Sequence, residues 1–405
     1  MRRKLAATGI RYTVCAVSAY LLARFLGFDV GKKIFSMLLV CGACALCTCK
    51  TLYEERHEVK NGVAVRTDRK SELDILRILA VVLVIVLHTV EAAQGDSAFL
   101  PDQAFASLCS VLLSCNILFI MLSGALAFRW TDKHPVLYYV ERAVRILVPM
   151  FIYYFWNYFY DKLTLGELSD PELFKLTCLN LRIGNTEFAP QFWLIYPILA
   201  IYIAAPFIRY LVKDMPYRML CFGTAAGLLC CIAHAQLNTP INSYLPYYLI
   251  IALIGYWIYE ERTRKYDPII CAIGAVALGI LIITGQGIEE GECWTVMITC
   301  AIISLVYICC QHIRIGNKAS KVLAFLSRYS FGAMLIHWWV LYFIVRGRMG
   351  LSGIGTAVPV ILITFGMSLG MAYLIDNTAV YIIKKFLEIL ISWCETAICS
   401  SERRK

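Results

Sequence analysis

The chain has 405 residues, of which 60% are hydrophobic and only 16% are charged, with a formal net charge of +10. So apolar a composition excludes an ordinary soluble domain. The basic residues cluster at the ends of apolar runs, so the charge indicates membrane topology and contact with lipid headgroups rather than nucleic acid, for which no motif is present.

The apolar runs are long enough to cross a hydrocarbon core of ~30 Å, which predicts an all-α, polytopic transmembrane bundle of about twelve spans. Two spans, at about 8–26 and 34–49, precede a charged linker at about 50–72. The first of them is interpreted as a retained helix rather than a cleaved signal peptide. Ten further spans are predicted near 73–93, 105–128, 141–160, 192–212, 217–234, 243–260, 268–285, 292–312, 328–347 and 355–376.

Three regions follow from this pattern. Residues 1–60 form a hairpin and the start of the linker, residues 61–376 form a ten-helix core, and residues 377–405 form an interfacial helix with a basic tail. If the linker is cytoplasmic, most basic loops are cytoplasmic too, as the positive-inside rule requires. Arg346 and Arg348 are exceptions, because they fall on the outer side.

The 18 cysteines do not indicate a disulfide framework, because most lie inside apolar spans, where a free cysteine behaves as a small hydrophobe. The spacing of the cysteines between positions 41 and 49 resembles that of metal ligands. However, no histidine or carboxylate lies at the same depth, so helix packing is favoured and no metal site is expected.

The first candidate site lies on the third predicted span, SELDILRILAVVLVIVLHTV. Arg77 and His88 are eleven positions apart, which places them on one helix face, ~16 Å apart along the axis. Ionisable groups inside a span are costly and usually functional. His88 is a candidate general base, Glu91 could orient its ring, and Asp74 can pair with Arg77. The alternative is a histidine that hydrogen-bonds between helices for packing.

A second constellation consists of Arg142 and Arg145, one turn apart at the start of a span. Together with Arg77 they would bring three guanidinium groups to the cytoplasmic face, a grouping that suits phosphate binding. The alternative for each arginine is an ordinary positive-inside signal.

Ser330 and His337, in RYSFGAMLIHWWVLYF, are seven positions apart and predicted to share a helix face. They are candidates for lining a substrate path, although His337 would serve packing equally well beside Trp338 and Trp339. Ser330 is also a candidate donor to the oxyanion of an acyl-transfer intermediate.

Two further residues are assigned to the substrate path. Trp193 belongs to an aromatic entry that suits a sugar or a membrane interface. Asn116, with Ser123 seven positions later, is the other candidate and a second possible oxyanion donor. Interhelical hydrogen bonding and a close helix approach at Gly124 explain this pair more simply.

Four stretches carry a family resemblance in a characteristic order: SELDILRILAVVLVIVLHTV; ILFIMLSGALAF followed by YYVERAVRILVPM; QFWLIYPILAIYIAAPFIRYLV; and RYSFGAMLIHWWVLYF. Over roughly residues 70–376 the chain resembles the acyltransferase-3 family of integral membrane acyltransferases. By comparison with that family we expect two extra N-terminal helices and no SGNH-hydrolase-like domain of the kind that is fused to some members.

The resemblance implies transfer of an acyl group, often acetyl, from cytoplasmic acyl-CoA to a hydroxyl of a carbohydrate, a lipid-linked sugar or a similar acceptor. Acyl-CoA would be a co-substrate and no cofactor would be bound. His88 and Arg77 would be central, and Arg142 and Arg145 would lie near the donor. The expected location is the bacterial cytoplasmic membrane, as a multi-pass protein.

Two rival functions remain open at this point. In a transporter or flippase the Arg77–His88 stripe would form a substrate or proton path. Few carboxylates lie within the spans, and broken helices in matched halves are not evident. In a sensor or partner subunit the hairpin at 8–49 would bind another protein.

Overall fold

A computed structural model describes residues 71–129, 135–165, 190–213, 244–284, 293–313 and 315–387, together with residue 175, residues 178–181 and a few positions between 215 and 227. The first two predicted spans, the linker, the cysteines between 41 and 49 and the tail beyond 387 lie outside these residues. The predicted span 217–234 lies mostly outside them.

The regular elements within the described ranges are helical, so the all-α prediction is confirmed. The α-helices are α1 (Ser71–Asp96), α2 (Asp102–Ala127), α3 (Pro135–Leu165), α4 (Ile195–Lys213), α5 (Tyr244–Tyr259), α6 (Asp267–Thr284), α7 (Cys293–Gln311), α8 (Asn317–Trp339) and α9 (Ala357–Asn377). A 3₁₀-helix at Pro190–Leu194 leads into α4, and a π-helix at Val340–Arg348 continues α8.

Five helical segments of the described chain are long and apolar enough to cross a membrane: Ser71–Asp96, Asp102–Ala127, Pro190–Lys213, Asn317–Arg348 and Ile354–Leu387. The total of about twelve spans stays a prediction. The helix of the span expected at 328–347 begins earlier, at Asn317. The prediction left out its first turns because they carry Lys318 and Lys321. Hydropathy marks the apolar length of a helix, whereas backbone hydrogen bonding sets where the helix starts.

Helix α1 packs against α2, α8 and α9, and α2 packs against α4 and α5. Leu76, Ala80 and Ile85 of α1 are completely buried by these neighbours. Because lipid tails are as apolar as these side chains, close packing and interhelical hydrogen bonds hold such helices together. The polar residues of α1 find partners both on α1 itself and on the surrounding helices.

Helices α2 and α5 cross in close contact at two glycines. A Cβ atom added at Gly124 would lie 2.0 Å from the Ala252 carbonyl oxygen, and one at Gly255 would lie 2.2 Å from the Met121 carbonyl oxygen. The predicted close approach at Gly124 is confirmed. The hydroxyl of Ser123, however, donates to the Phe119 carbonyl oxygen of its own helix at 2.8 Å. Back-bonding of this kind replaces the interhelical bond that the sequence suggested.

Helices α1 and α8 run parallel to each other. Asp74 contacts Ser327 near the start of both helices, and His88 stacks against His337 further along both. This pairing creates two polar regions at different depths. We call the region around Arg77 the arginine end and the region around His88 the histidine end.

Beyond the histidine end, Arg346 pairs with Asp96 at the end of α1. The two guanidinium nitrogens lie 2.6 and 2.9 Å from the two carboxylate oxygens, and the Gly353 backbone N–H donates to the same carboxylate at 3.1 Å. This ion pair places a carboxylate beside Arg346, one of the two arginines that the predicted topology puts on the outer side.

Candidate active site

The arginine end is organised by a buried carboxylate. Arg77 donates to Asp74 Oδ1 at 3.2 Å, as predicted, and Ser327 Oγ donates to the same oxygen at 2.7 Å. The Asp74 side chain is 2% exposed, whereas that of Arg77 is 31% exposed. The carboxylate therefore fixes the guanidinium from within the bundle and leaves part of it accessible to a ligand.

Ser327 is the serine of α8 that reaches α1, whereas the sequence had pointed to Ser330. The Ser330 hydroxyl donates to the Ser327 carbonyl oxygen at 2.8 Å, within its own helix. A helical serine often satisfies its hydroxyl in this way, and the local bond turns it away from a neighbouring site. The prediction that Ser330 acts beside His337 has no support from this contact.

Helix α3 adds two arginines to the arginine end. Arg142 lies over the rings of Tyr138 and Tyr202, with its guanidinium carbon 5.4 and 4.9 Å from the two ring centroids. Arg145 interacts electrostatically with both Arg142 and Arg77. The sequence predicted that these three arginines converge, and Arg145 lies near enough to the other two for their charges to interact. Three like charges at one place favour an anionic partner.

Arg209 of α4 extends this cluster and was missed by the sequence reasoning, which treated it as a positive-inside signal. It is buried, with 5% exposure, and its guanidinium carbon lies 4.1 Å from the centroid of the Tyr138 ring. Its Nε donates to the Ala127 carbonyl oxygen at the end of α2. Its position near the end of an apolar span gave no signal that separates a buried arginine from a loop arginine.

At the histidine end, Glu91 holds the ring of His88. The distance between His88 Nδ1 and Glu91 Oε2 is 2.8 Å, and the His88 side chain is 17% exposed. An ionised carboxylate only accepts, so Nδ1 carries a hydrogen, and in the neutral imidazole this leaves the lone pair on Nε2. The contact predicted from the three-residue spacing is present, and it is an arrangement typical of a general base.

His337 lies directly against His88. The ring centroids are 5.4 Å apart with an interplanar angle of 18°, and the edge of Trp338 approaches His88 with a centroid distance of 4.8 Å. His337 Nδ1 lies 2.6 Å from the Met334 carbonyl oxygen, so this nitrogen donates. His337 Nε2 is buried and has no hydrogen-bond partner within the described ranges.

Gln191, on the 3₁₀-helix before α4, is a second polar residue that the sequence reasoning missed. Its Nε2 donates to the Leu335 carbonyl oxygen of α8 at 2.8 Å, and its Oε1 is buried without a partner among the residues that the structure describes. A buried polar group without a partner costs ~1–3 kcal/mol. Unsatisfied acceptors of this kind fit a ligand that brings hydroxyl donors.

Comparison with known proteins decides the family. The model of the acyltransferase-3 family, described as an acyltransferase domain, matches residues 70–377, which is more than half of the chain. The chain belongs to the acyltransferase-3 family. It is an acyltransferase and an integral membrane protein with several apolar helices. No curated protein and no solved structure matches the chain.

Trp193 and Asn116, which the sequence assigned to the substrate path, make contacts away from the two histidines. The ring of Trp193 lies 6.4 Å from that of Tyr248 on α5. Asn116 Oδ1 accepts from the neighbouring Cys115 thiol at 3.7 Å. Neither contact involves His88 or His337, and the assignment of both residues to a substrate path stays a prediction. Aromatic and amide residues carry no pattern that specifies which neighbouring helix they face.

Proposed function

We propose that this acyltransferase moves an acyl group, in the first instance acetyl, from cytoplasmic acyl-CoA to a hydroxyl of a carbohydrate or lipid-linked sugar of the bacterial cell envelope. One observation carries the proposal. A single helix, α1, holds Arg77 at one depth and His88 at another, and the same neighbour, α8, engages α1 at both depths.

The arginine end suits the donor. Coenzyme A carries a diphosphate, and guanidinium groups bind phosphate oxygens through paired, charge-assisted hydrogen bonds. Arg145 interacts electrostatically with Arg77 and Arg142, and the three guanidinium groups would share the phosphates. The rise from Arg77 to His88 is ~16 Å, comparable with the reach of a pantetheine arm. A thioester anchored by its phosphates at the arginine end would therefore extend to His88.

The histidine end suits the chemical step. His88 Nε2 would take the proton of the acceptor hydroxyl as its oxygen attacks the thioester carbonyl carbon. Collapse of the tetrahedral intermediate would break the carbon–sulfur bond, and the thiolate would take the proton from the imidazolium. Glu91 would stabilise the imidazolium while it exists. A route through an acyl-histidine would use the same residue as nucleophile.

The sugar that receives the acyl group would bind beside buried polar atoms that lack a hydrogen-bond donor. His337 Nε2 and Gln191 Oε1 are two such atoms without partners among the described residues, and sugar hydroxyls could donate to both. Trp193 offers an aromatic face on the segment that carries Gln191. Membrane lipids would surround this bundle and present a lipid-linked acceptor from the side.

The proposal is tested with the purified full chain in liposomes that carry a defined lipid-linked sugar. Acetyl-CoA labelled in its acetyl group is supplied on one side, and both free CoA and labelled sugar are measured. The expected result is equal formation of CoA and of acetylated sugar. Movement of the sugar across the bilayer without acetylation would overturn the proposal and favour a flippase.

A further inference from the structure

A second basic site lies beside the arginine end. A cavity of about 260 Å³ is lined by Arg129, Arg209, Lys213 and Glu260, together with the ring of Tyr256. We call it the basic cavity. It lies where α2, α4 and α5 end, with Arg209 and Lys213 on α4 and with Arg129 and Glu260 just beyond the ends of α2 and α5. Three cations and one carboxylate give its lining a net charge of +2, which favours an anion.

Contacts with the protein order both arginines of the lining. Arg209 donates to the Ala127 carbonyl oxygen, and its side chain is buried. Arg129 donates to the Tyr259 hydroxyl at 3.3 Å and lies over that ring, 5.4 Å from the centroid. Because these guanidinium groups are already ordered, an anion would bind them at a small entropic cost.

The basic cavity adjoins the arginines that the proposed function assigns to the diphosphate. Arg209 and Arg142 lie over the same ring, that of Tyr138, at 4.1 and 5.4 Å from its centroid. The two guanidinium groups also interact electrostatically. A single ligand with two separate phosphate groups would therefore reach both places.

We propose that the basic cavity binds the phosphomonoester of the donor, the 3′-phosphate on the ribose of coenzyme A. This inference rests on the proposed function. Coenzyme A has two phosphate groups separated by a ribose, which matches two neighbouring basic places. A cavity of about 260 Å³ is smaller than the ~300–1,000 Å³ typical of drug-sized ligands, so it suits a sugar phosphate rather than a whole nucleotide.

Charge selects this phosphate over the other phosphate source at a membrane surface. A phosphomonoester carries a charge of about −1.5 to −2 at pH 7. The phosphodiester of a common anionic lipid has one fewer ionisable oxygen, and its charge is lower. A lining with a net charge of +2 matches the phosphomonoester more closely.

The test compares coenzyme A with dephospho-coenzyme A, which differs only in the 3′-phosphate. The full chain is placed in nanodiscs of zwitterionic lipid, and both dissociation constants are measured by calorimetry. We expect coenzyme A to bind ~10-fold tighter or more, the factor that one charge-assisted hydrogen bond supplies.

Substitutions in the lining test whether the basic cavity produces this preference for coenzyme A. In Lys213→Met and Arg129→Met the ratio of the two dissociation constants should fall toward one. Glu260→Gln removes the carboxylate and should raise the ratio, an effect that misfolding does not produce. Lys265→Met is the matched control, because Lys265 is an exposed lysine that lies over Tyr266 and is not among the residues lining the basic cavity. This control should leave the ratio unchanged.

Each contrary outcome is distinct. Equal, tight binding of the two ligands by the unmodified protein overturns the 3′-phosphate assignment and leaves the donor assignment standing. Failure to bind either ligand overturns both. A third outcome is that the preference for coenzyme A over dephospho-coenzyme A disappears when phosphatidylglycerol is added to the nanodiscs. If Lys213→Met then restores this preference, the basic cavity binds lipid headgroups and the inference is wrong.

Discussion

The arginine end and the histidine end are two polar regions on the same pair of helices, and they solve the problem of burying polar groups differently. At the arginine end, Asp74, Arg77 and Ser327 hydrogen-bond to one another, although the Tyr138 hydroxyl beneath Arg142 is buried without a partner in the described part of the chain. At the histidine end, His337 Nε2 and Gln191 Oε1 have no partner among the described residues.

The difference indicates different tasks. Ordered cations with satisfied carboxylates form a fixed electrostatic surface, which is what binding a phosphate requires. A base with an open lone pair, beside acceptors that lack donors, suits a reaction in which a hydroxyl arrives and loses its proton. Substitutions at the arginine end should therefore change donor binding, and substitutions at the histidine end should change turnover.

The largest effect is expected for His88→Ala. Loss of a general base usually lowers the rate ~100-fold or more, and we expect kcat for acetyl transfer to fall by at least this factor. The matched control is His312→Ala, because the side chain of His312 is 70% exposed and lies near Asp267, away from the histidine pair. Wild-type turnover by His88→Ala would remove the assigned role of the histidine end.

Arg145→Ala should act on donor binding. Removal of one charge-assisted contact to phosphate is expected to raise KM for acetyl-CoA ~10-fold with little change in kcat. Lys321→Ala, which removes an exposed cation from the early turns of α8, is the control. Steady-state kinetics over a range of acetyl-CoA concentrations measures both parameters. A fall in kcat at constant KM would place Arg145 with the chemistry and break the division between the two ends.

Glu91→Gln tests the hydrogen bond that orients His88. The amide retains the shape of the side chain but loses the charge that would stabilise an imidazolium, so kcat should fall by about tenfold, near the energy of one charge-assisted bond. KM for acetyl-CoA should not change. Glu72→Gln, at the start of the same helix, is the control. A tenfold change in donor KM with constant kcat would argue against this role.

Gln191→Ala is expected to have the smallest effect. The proposed contact is a neutral hydrogen bond to an acceptor hydroxyl, whose net contribution is about 0.5–1.5 kcal/mol, so KM for the sugar should rise about threefold to tenfold. The donor KM should stay constant. Unchanged sugar KM, together with a lower melting temperature, would mean that Gln191 only joins its 3₁₀-helix to α8.

Much of the arrangement on α1 could be predicted from the sequence. Helical spacing alone places Glu91 within reach of His88 and Asp74 within reach of Arg77, because both pairs are three positions apart. Hydropathy likewise located the apolar parts of α1 and α2, since a long uniform apolar run has one interpretation in a membrane.

Contacts between helices could not be predicted from helical spacing or hydropathy. Nothing in the spacing on α8 distinguishes Ser327 from Ser330, because the partner of each depends on the rotation of α8 against α1. Arg209 and Gln191 were missed for a similar reason. Each is an ordinary polar residue at the end of an apolar segment, and only the packing of a distant helix makes it part of a site.

The most direct test is a structure of the full chain with coenzyme A, determined by electron cryo-microscopy in nanodiscs. We predict that the phosphates lie against Arg77, Arg142 and Arg145 and that the pantetheine runs along α1. The thiol should then lie close to His88 Nε2, within reach of an acceptor oxygen placed ~3–3.5 Å from the reacting carbon. A coenzyme bound elsewhere, or one whose thiol points away from His88, would contradict the proposed transfer.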